Sequence, residues 1–134
     1  MNTASIQFGD FVKNKRLKKK ITLKDLAKKL DLSIAYLSDI ENNRRYPIKS
    51  KINLLIEILE LSPKEQDLLS DLAGKARNEV PPDLLEYIMD WEVSPYVRAS
   101  LRKAKQNAMS VKEWKRIIEE IDKIRYQKFE REES

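Results

Sequence analysis

The chain contains neither cysteine nor histidine. The first absence removes disulfides, thiolate nucleophiles and thiolate metal sites. The second removes the commonest general base and the commonest metal ligand, so no catalytic centre, metal site or cofactor is expected. Glycine is scarce too, at two residues, and the five prolines are scattered. With Leu, Ile, Lys and Glu abundant, this shortage of helix breakers predicts an all-α protein. No apolar run reaches the length of a membrane span and no signal-peptide pattern opens the chain, which predicts a cytoplasmic protein without membrane contact. At 134 residues there is room for one core, or for a small domain and a second helical piece.

Charge is unevenly spread. Residues 1–60 carry 13 Lys/Arg against 7 Asp/Glu, whereas residues 61–134 carry 14 against 15. Alone, a Lys-rich stretch is most simply a solvated helix face. Here it coincides with a motif that uses positive charge.

That motif runs from Ile21 to Pro47. Thr22 is a good N-cap, and Asp25 places a carboxylate at the N-terminal dipole of a first short helix. Leu23, Leu26, Ala27 and Leu30 form its apolar stripe. Asp31, Leu32 and Ser33 make the break, with Ser33 placed to cap a second helix. That helix turns Leu37 and Ile40 inward and leaves Ile34, Ala35, Ser38, Asp39 and Asn42 facing outward. Two helices joined this tightly form a helix-turn-helix, whose second helix can enter a DNA major groove. The loop Asn42-Asn43-Arg44-Arg45-Tyr46-Pro47 is polar, and an ordinary turn is its bland reading.

Residues Leu26-Ala27, Leu30, Leu32-Ser33 and Tyr36 to Asn42, followed by Arg45 and Pro47, closely resemble the Cro/C1-type (XRE) helix-turn-helix family. The resemblance covers roughly residues 6 to 70. It implies a five-helix, lambda repressor-like DNA-binding domain. It also implies base reading by Ser33, Ile34, Ala35, Ser38 and Asp39, and phosphate contacts from Arg16, Lys20, Asn42, Asn43, Arg44 and Arg45. In the family an arginine at the position of Arg16 pairs with the glutamate that closes the recognition helix, here Glu41, as a structural brace. Two departures stand out. Asn43 occupies a position usually held by glycine, and asparagine tolerates the left-handed conformation nearly as well. Leu23 replaces a common phosphate-contacting glutamine, so that contact is not expected.

Around the motif, a first helix is predicted from Ser5 to about Lys20, after a frayed terminus at residues 1–4, with Leu17 among its apolar contacts. Ile52, Leu55, Ile56 and Leu59 predict a fourth helix. The capping box Ser62-Pro63-Lys64-Glu65 opens a fifth, with Leu68, Leu69, Leu72, Ala73 and Ala76 along its apolar face. The tandem prolines Pro81-Pro82 stop it, and the domain boundary is placed between residues 78 and 79. Residues 79–134 then predict a smaller three-helix region. Its first helix spans Asp83 to Trp91, its second starts at Ser94-Pro95, and its third opens at a capping box, Ser110 to Glu113. Trp91 and Trp114 are expected as core anchors, and the stripe Val111, Trp114, Ile117, Ile118, Ile121 and Ile124 as a core face or dimer contact. Glu119 and Lys123 are expected to pair, and residues from about Glu130 on to fray.

The order Val80-Pro81-Pro82-Asp83-Leu84-Leu85, a basic short helix, then Trp114 near the start of the last helix, is loosely similar to two regulator groups. One is XRE-type repressors inactivated by a partner metalloprotease, and the other is XRE-type antitoxins. The function expected from all this is a sequence-specific, double-stranded DNA-binding repressor, acting as a homodimer on an inverted repeat. A protein partner, protease or toxin, is expected to control it, and the alternative is an antitoxin that autoregulates its operon.

Overall fold

Val12, Leu26, Leu30, Leu37 and Leu69 are almost fully withdrawn from solvent, and the first part of the fold is assembled around them. The computed structural model describes residues 6–133, and helices are its only regular elements. In chain order these are α1 (Phe8–Lys18), α2 (Leu23–Lys29), α3 (Ile34–Glu41), a single 3-10 turn (Lys49–Lys51) leading into α4 (Ile52–Ile58), α5 (Pro63–Arg77), α6 (Pro82–Ile88), α7 (Ser94–Gln106) and α8 (Val111–Glu133). An all-α fold was expected, and this is one. No helix of the described residues is long and apolar enough to cross a membrane. The frayed terminus expected at residues 1–4 lies outside the described residues.

The chain divides after Tyr87 into two compact units. In the first, α1 packs on α3 and α5, α2 packs on α3, and α4 packs on α5. Helices of seven or eight residues such as α2 and α3 are marginal alone, so they depend on this packing and on their caps. The expected caps are present: Thr22 accepts from the Asp25 amide at 3.1 Å and Ser33 from the Tyr36 amide at 3.0 Å. The Ser62–Glu65 box is reciprocal, at 3.0 and 3.3 Å. Helix α1 begins at Phe8, three residues later than expected, because Gln7 and Asp10 form a capping box there. Leu17 is not a core contact but stands 54% exposed, and Leu68 on α5 is 42% exposed. Helix α5 ends on Asn78 in the left-handed conformation, with the Glu79 amide bonded to the Gly74 carbonyl. The prolines therefore follow the stop, and Pro82 opens α6.

The second unit is differently made. Trp91, expected in the core and on a helix, is 93% exposed and lies beyond the end of α6. Asp90 accounts for the position, because its carboxylate accepts from the amides of Glu92 and Val93 and turns the chain there. Trp114 is 38% exposed, and the isoleucine stripe of α8 is open rather than a core face. Helix α8 keeps its expected box at Ser110 and Glu113, and it continues to Glu133 instead of fraying at Glu130. Lys123 bonds Glu120, three residues back, instead of Glu119.

Candidate nucleic-acid interface

A short recognition helix must be held at both ends before its outer face can read anything. Ser33 fixes the N-terminal end by its cap, and Asp31 in the left-handed conformation (φ 55°) turns the chain into it. At the other end Arg16 of α1 meets Glu41 in two parallel bonds, Nε to Oε2 at 2.8 Å and Nη2 to Oε1 at 2.9 Å. A third bond runs from Nη1 to the Ile21 carbonyl at 3.0 Å. Both partners are buried, at 8% and 4% exposure, so this is a desolvated, forked ion pair. The hydrogen bond to Glu41 holds the Arg16 guanidinium above its ordinary pKa, against the opposing effect of burial.

The loop after α3 is fixed just as tightly. Asn43 adopts the left-handed conformation (φ 59°) expected of it, in place of a glycine. Its side-chain oxygen accepts from the Gly9 amide at 2.8 Å, and its nitrogen donates to Asp10 at 3.2 Å. Gly9 makes this approach possible, since a Cβ there would stand 2.2 Å from the Ile40 carbonyl. The N-terminal end of α1 thus grips the C-terminal end of α3.

Against that frame the expected site residues fall into two sets. Ile34 and Ala35 are exposed on the outer face of α3, and Ser38 and Asp39 are half-buried beside them. Ser33 is exposed, but its oxygen is used in the cap, which leaves its hydroxyl proton as a donor. Asn42 donates to the Ser38 carbonyl at 2.9 Å and lies near the Ser38 hydroxyl at 3.3 Å. Lys20 in the turn after α1 and Asn42, Asn43, Arg44 and Arg45 in the loop after α3 are exposed, whereas Arg16 is enclosed by its brace. Any phosphate contact by Arg16 or Asn43 has to use donors beyond those in the bonds above. Part of the lysine cluster at the end of α1 is engaged within the protein, as Lys15 pairs with Glu65 and Lys19 with Glu60.

Three features escape a reading of motif and spacing. Asp39 faces Arg45 at 3.4 Å and Arg44 at 3.9 Å, so the carboxylate expected to read bases is paired with its own loop. The Arg45 guanidinium also stacks over the Tyr36 ring at 4.5 Å, which sets its direction. Gly9 is the third, and the scarcity of glycine was its signal: Gly9 and Gly74 both sit where a Cβ would collide with backbone. An open cleft of about 920 Å³ lies beside this end of α3, bordered by Tyr36, Arg44, Arg45, Tyr46, Lys75 and Arg77 and by no acidic residue.

Exposed small and apolar side chains on a braced helix, flanked by guanidinium groups, can address base edges and phosphates together. Residues 12–66 match the family model described as Helix-turn-helix. No curated protein and no solved structure matches the chain. The match runs from within α1 to the start of α5, including the caps of α2, α3 and α5, the Arg16–Glu41 brace and the outer face of α3. The chain carries a Cro/C1-type (XRE-family) helix-turn-helix domain and is a DNA-binding transcription regulator.

Proposed function

We propose that this protein is a cytoplasmic, sequence-specific repressor that binds an inverted-repeat operator as a homodimer and performs no catalysis. Residues 1–78 are the DNA-binding part, and 79–134 the dimerisation and partner region. Ser33, Ile34, Ala35, Ser38 and Asp39 face base edges in the major groove. The aliphatic Ile34 and Ala35 suit the thymine methyl group, the one apolar feature of that groove. Arg16, Lys20, Asn42, Asn43, Arg44 and Arg45 hold phosphates and fix the register. The observation that supports this reading most is an exposed Ile34–Ala35 face at the start of a helix held at both ends, with exposed Arg44 and Arg45 just beyond its other end.

The dimer follows from affinity. One short helix makes few base contacts, and joining two half-sites raises occupancy through effective concentration. A second reading is favoured by the exposed apolar side chains of α6 to α8: a partner chain, toxin or regulatory protease, takes that surface, and DNA binding serves autoregulation. Growth arrest by a second protein, relieved by tight complex formation with this chain, would mark the antitoxin reading.

Selection from a random duplex pool tests the main proposal. Enrichment of two half-sites related by a two-fold axis, with centres a helical turn or a multiple apart, is the expected result. A pool that remains random after repeated rounds overturns sequence-specific binding.

A further inference from the structure

The apolar side chains of α8 are not scattered over its surface. Trp114, Ile117, Ile121 and Ile124 follow one another at intervals of three, four and three residues, the a and d spacing of a heptad. All four stand 38 to 59% exposed on a helix of 23 residues, about 34 Å long. The same register puts Lys128 at the next a position. It puts Glu113 and Glu120 at g, and Ile118 and Arg125 at e.

We propose that α8 pairs with α8 of a second copy as a parallel, two-stranded coiled coil. This rests on the homodimer proposed above and names its seam. The flanking charges choose the direction. In a parallel pair a g residue faces the following e residue of its neighbour, which sets Glu120 against Arg125 of the partner subunit, twice by symmetry. In the antiparallel pair that aligns all four, a faces d, so Trp114 meets Ile124 of the partner subunit and Ile117 meets Ile121 of the partner subunit; g then faces g, and the two Glu120 carboxylates meet. Lys123 bonds only Oε1 of Glu120, at 3.1 Å, and a carboxylate accepts at both oxygens. The residues at a and d bear on strand number. Isoleucine at both positions also suits three or four strands, but Lys128 at a brings one ammonium group to the axis per strand. Two strands gather the fewest.

The absence of cysteine makes the test direct, because one introduced thiol is the only one present. In the parallel seam, facing residues at position 128 lie within disulfide reach. In the antiparallel seam they stand about 27 Å apart along the axis. Lys128→Cys is oxidised with copper–phenanthroline beside Glu119→Cys, which lies on the outer f position, and the unmodified chain is sized by light scattering. The expected result is a dimer mass, with Lys128→Cys cross-linked at least about tenfold more than Glu119→Cys. A dimer mass without preferential cross-linking at 128 overturns the parallel seam and leaves the homodimer standing. A mass of three or four chains overturns two-strandedness, and a monomer at tens of micromolar overturns both seam and homodimer.

Discussion

The two units of the chain draw on similar residues and do opposite things with them. Every member of the core cluster lies between Phe8 and Ala73, and these side chains are at most 7% exposed. After Tyr87 the only apolar residue among the described ones that is buried is Ala104. Trp91, Tyr96, Leu101 and the isoleucines of α8 all face outward. The first unit is therefore held by its own packing. The second is held by helix caps and a few bonds such as Arg98 to the Ile88 carbonyl at 2.8 Å, and its apolar faces stay open. A fixed DNA-reading surface needs the first kind of construction, and an assembly surface needs the second.

Cutting the chain after Tyr87 is the most severe way to break the comparison. The N-terminal fragment should keep its helical circular dichroism and a cooperative melt. Its operator affinity should fall by about 10² to 10⁴-fold, the gain that joining two half-sites supplies. Light scattering and a titration check this, and a monomeric fragment that binds its operator undiminished would place the whole recognition event in one copy.

Two single substitutions sharpen the contrast. Leu26 is fully buried, so Leu26→Ala should cost about 2–5 kcal/mol in urea unfolding. Trp91 is almost fully exposed, so Trp91→Ala should change stability by less than about 0.5 kcal/mol, although a core tryptophan would cost several times that. A large loss at Trp91 would show that a core forms around it.

These two positions also mark how far the sequence could be read. Capping is local chemistry, carried by residues three apart, so Thr22, Ser33, Ser62 and Ser110 were legible before any tertiary structure. Periodicity likewise revealed the inward faces of α2 and α3. It cannot say whether an apolar stripe has a partner within the chain, because burial depends on what packs opposite; the tryptophans therefore read as anchors of a core they do not join, and the α8 stripe reads equally as a core face or a dimer contact. The site divides in the same way. The Arg16–Glu41 pair came from family resemblance, since 25 residues separate the partners. The grip of Asn43 on Gly9 spans 34 residues and left no local trace beyond the rarity of glycine.

A smaller effect is expected on the DNA-facing loop. Arg45→Ala should weaken operator and random duplex by a similar factor and reduce the salt slope by about one unit, as loss of one phosphate contact does. Titrations at several salt concentrations measure both. A loss confined to the operator would make Arg45 a base reader, oriented by Tyr36 and Asp39.

The smallest expected effect is a pH dependence within the first unit. Bonds from Lys15 and from the Ser62 amide bring the Glu65 carboxyl from its ordinary 4.5 down to about 2. A depressed carboxyl contributes stability that is full above its unfolded pKa and is lost as pH falls through the folded one. The contribution should therefore fade between about pH 4.5 and 2. Lys15→Met should lose less stability across that window than the native chain, in parallel urea titrations. Identical losses would remove the Lys15–Glu65 pair from the account.

The central claim is that the braced face of α3 reads duplex DNA. Its most direct test is a titration of the intact chain against the selected operator, a scrambled duplex of the same composition and single-stranded RNA of the same length, all at one near-physiological salt concentration. The account predicts that the operator binds at least about 10³-fold more tightly than the scrambled duplex, the lower range for specific recognition. Equal affinity for operator and scrambled duplex, or tighter binding to the RNA, would contradict it.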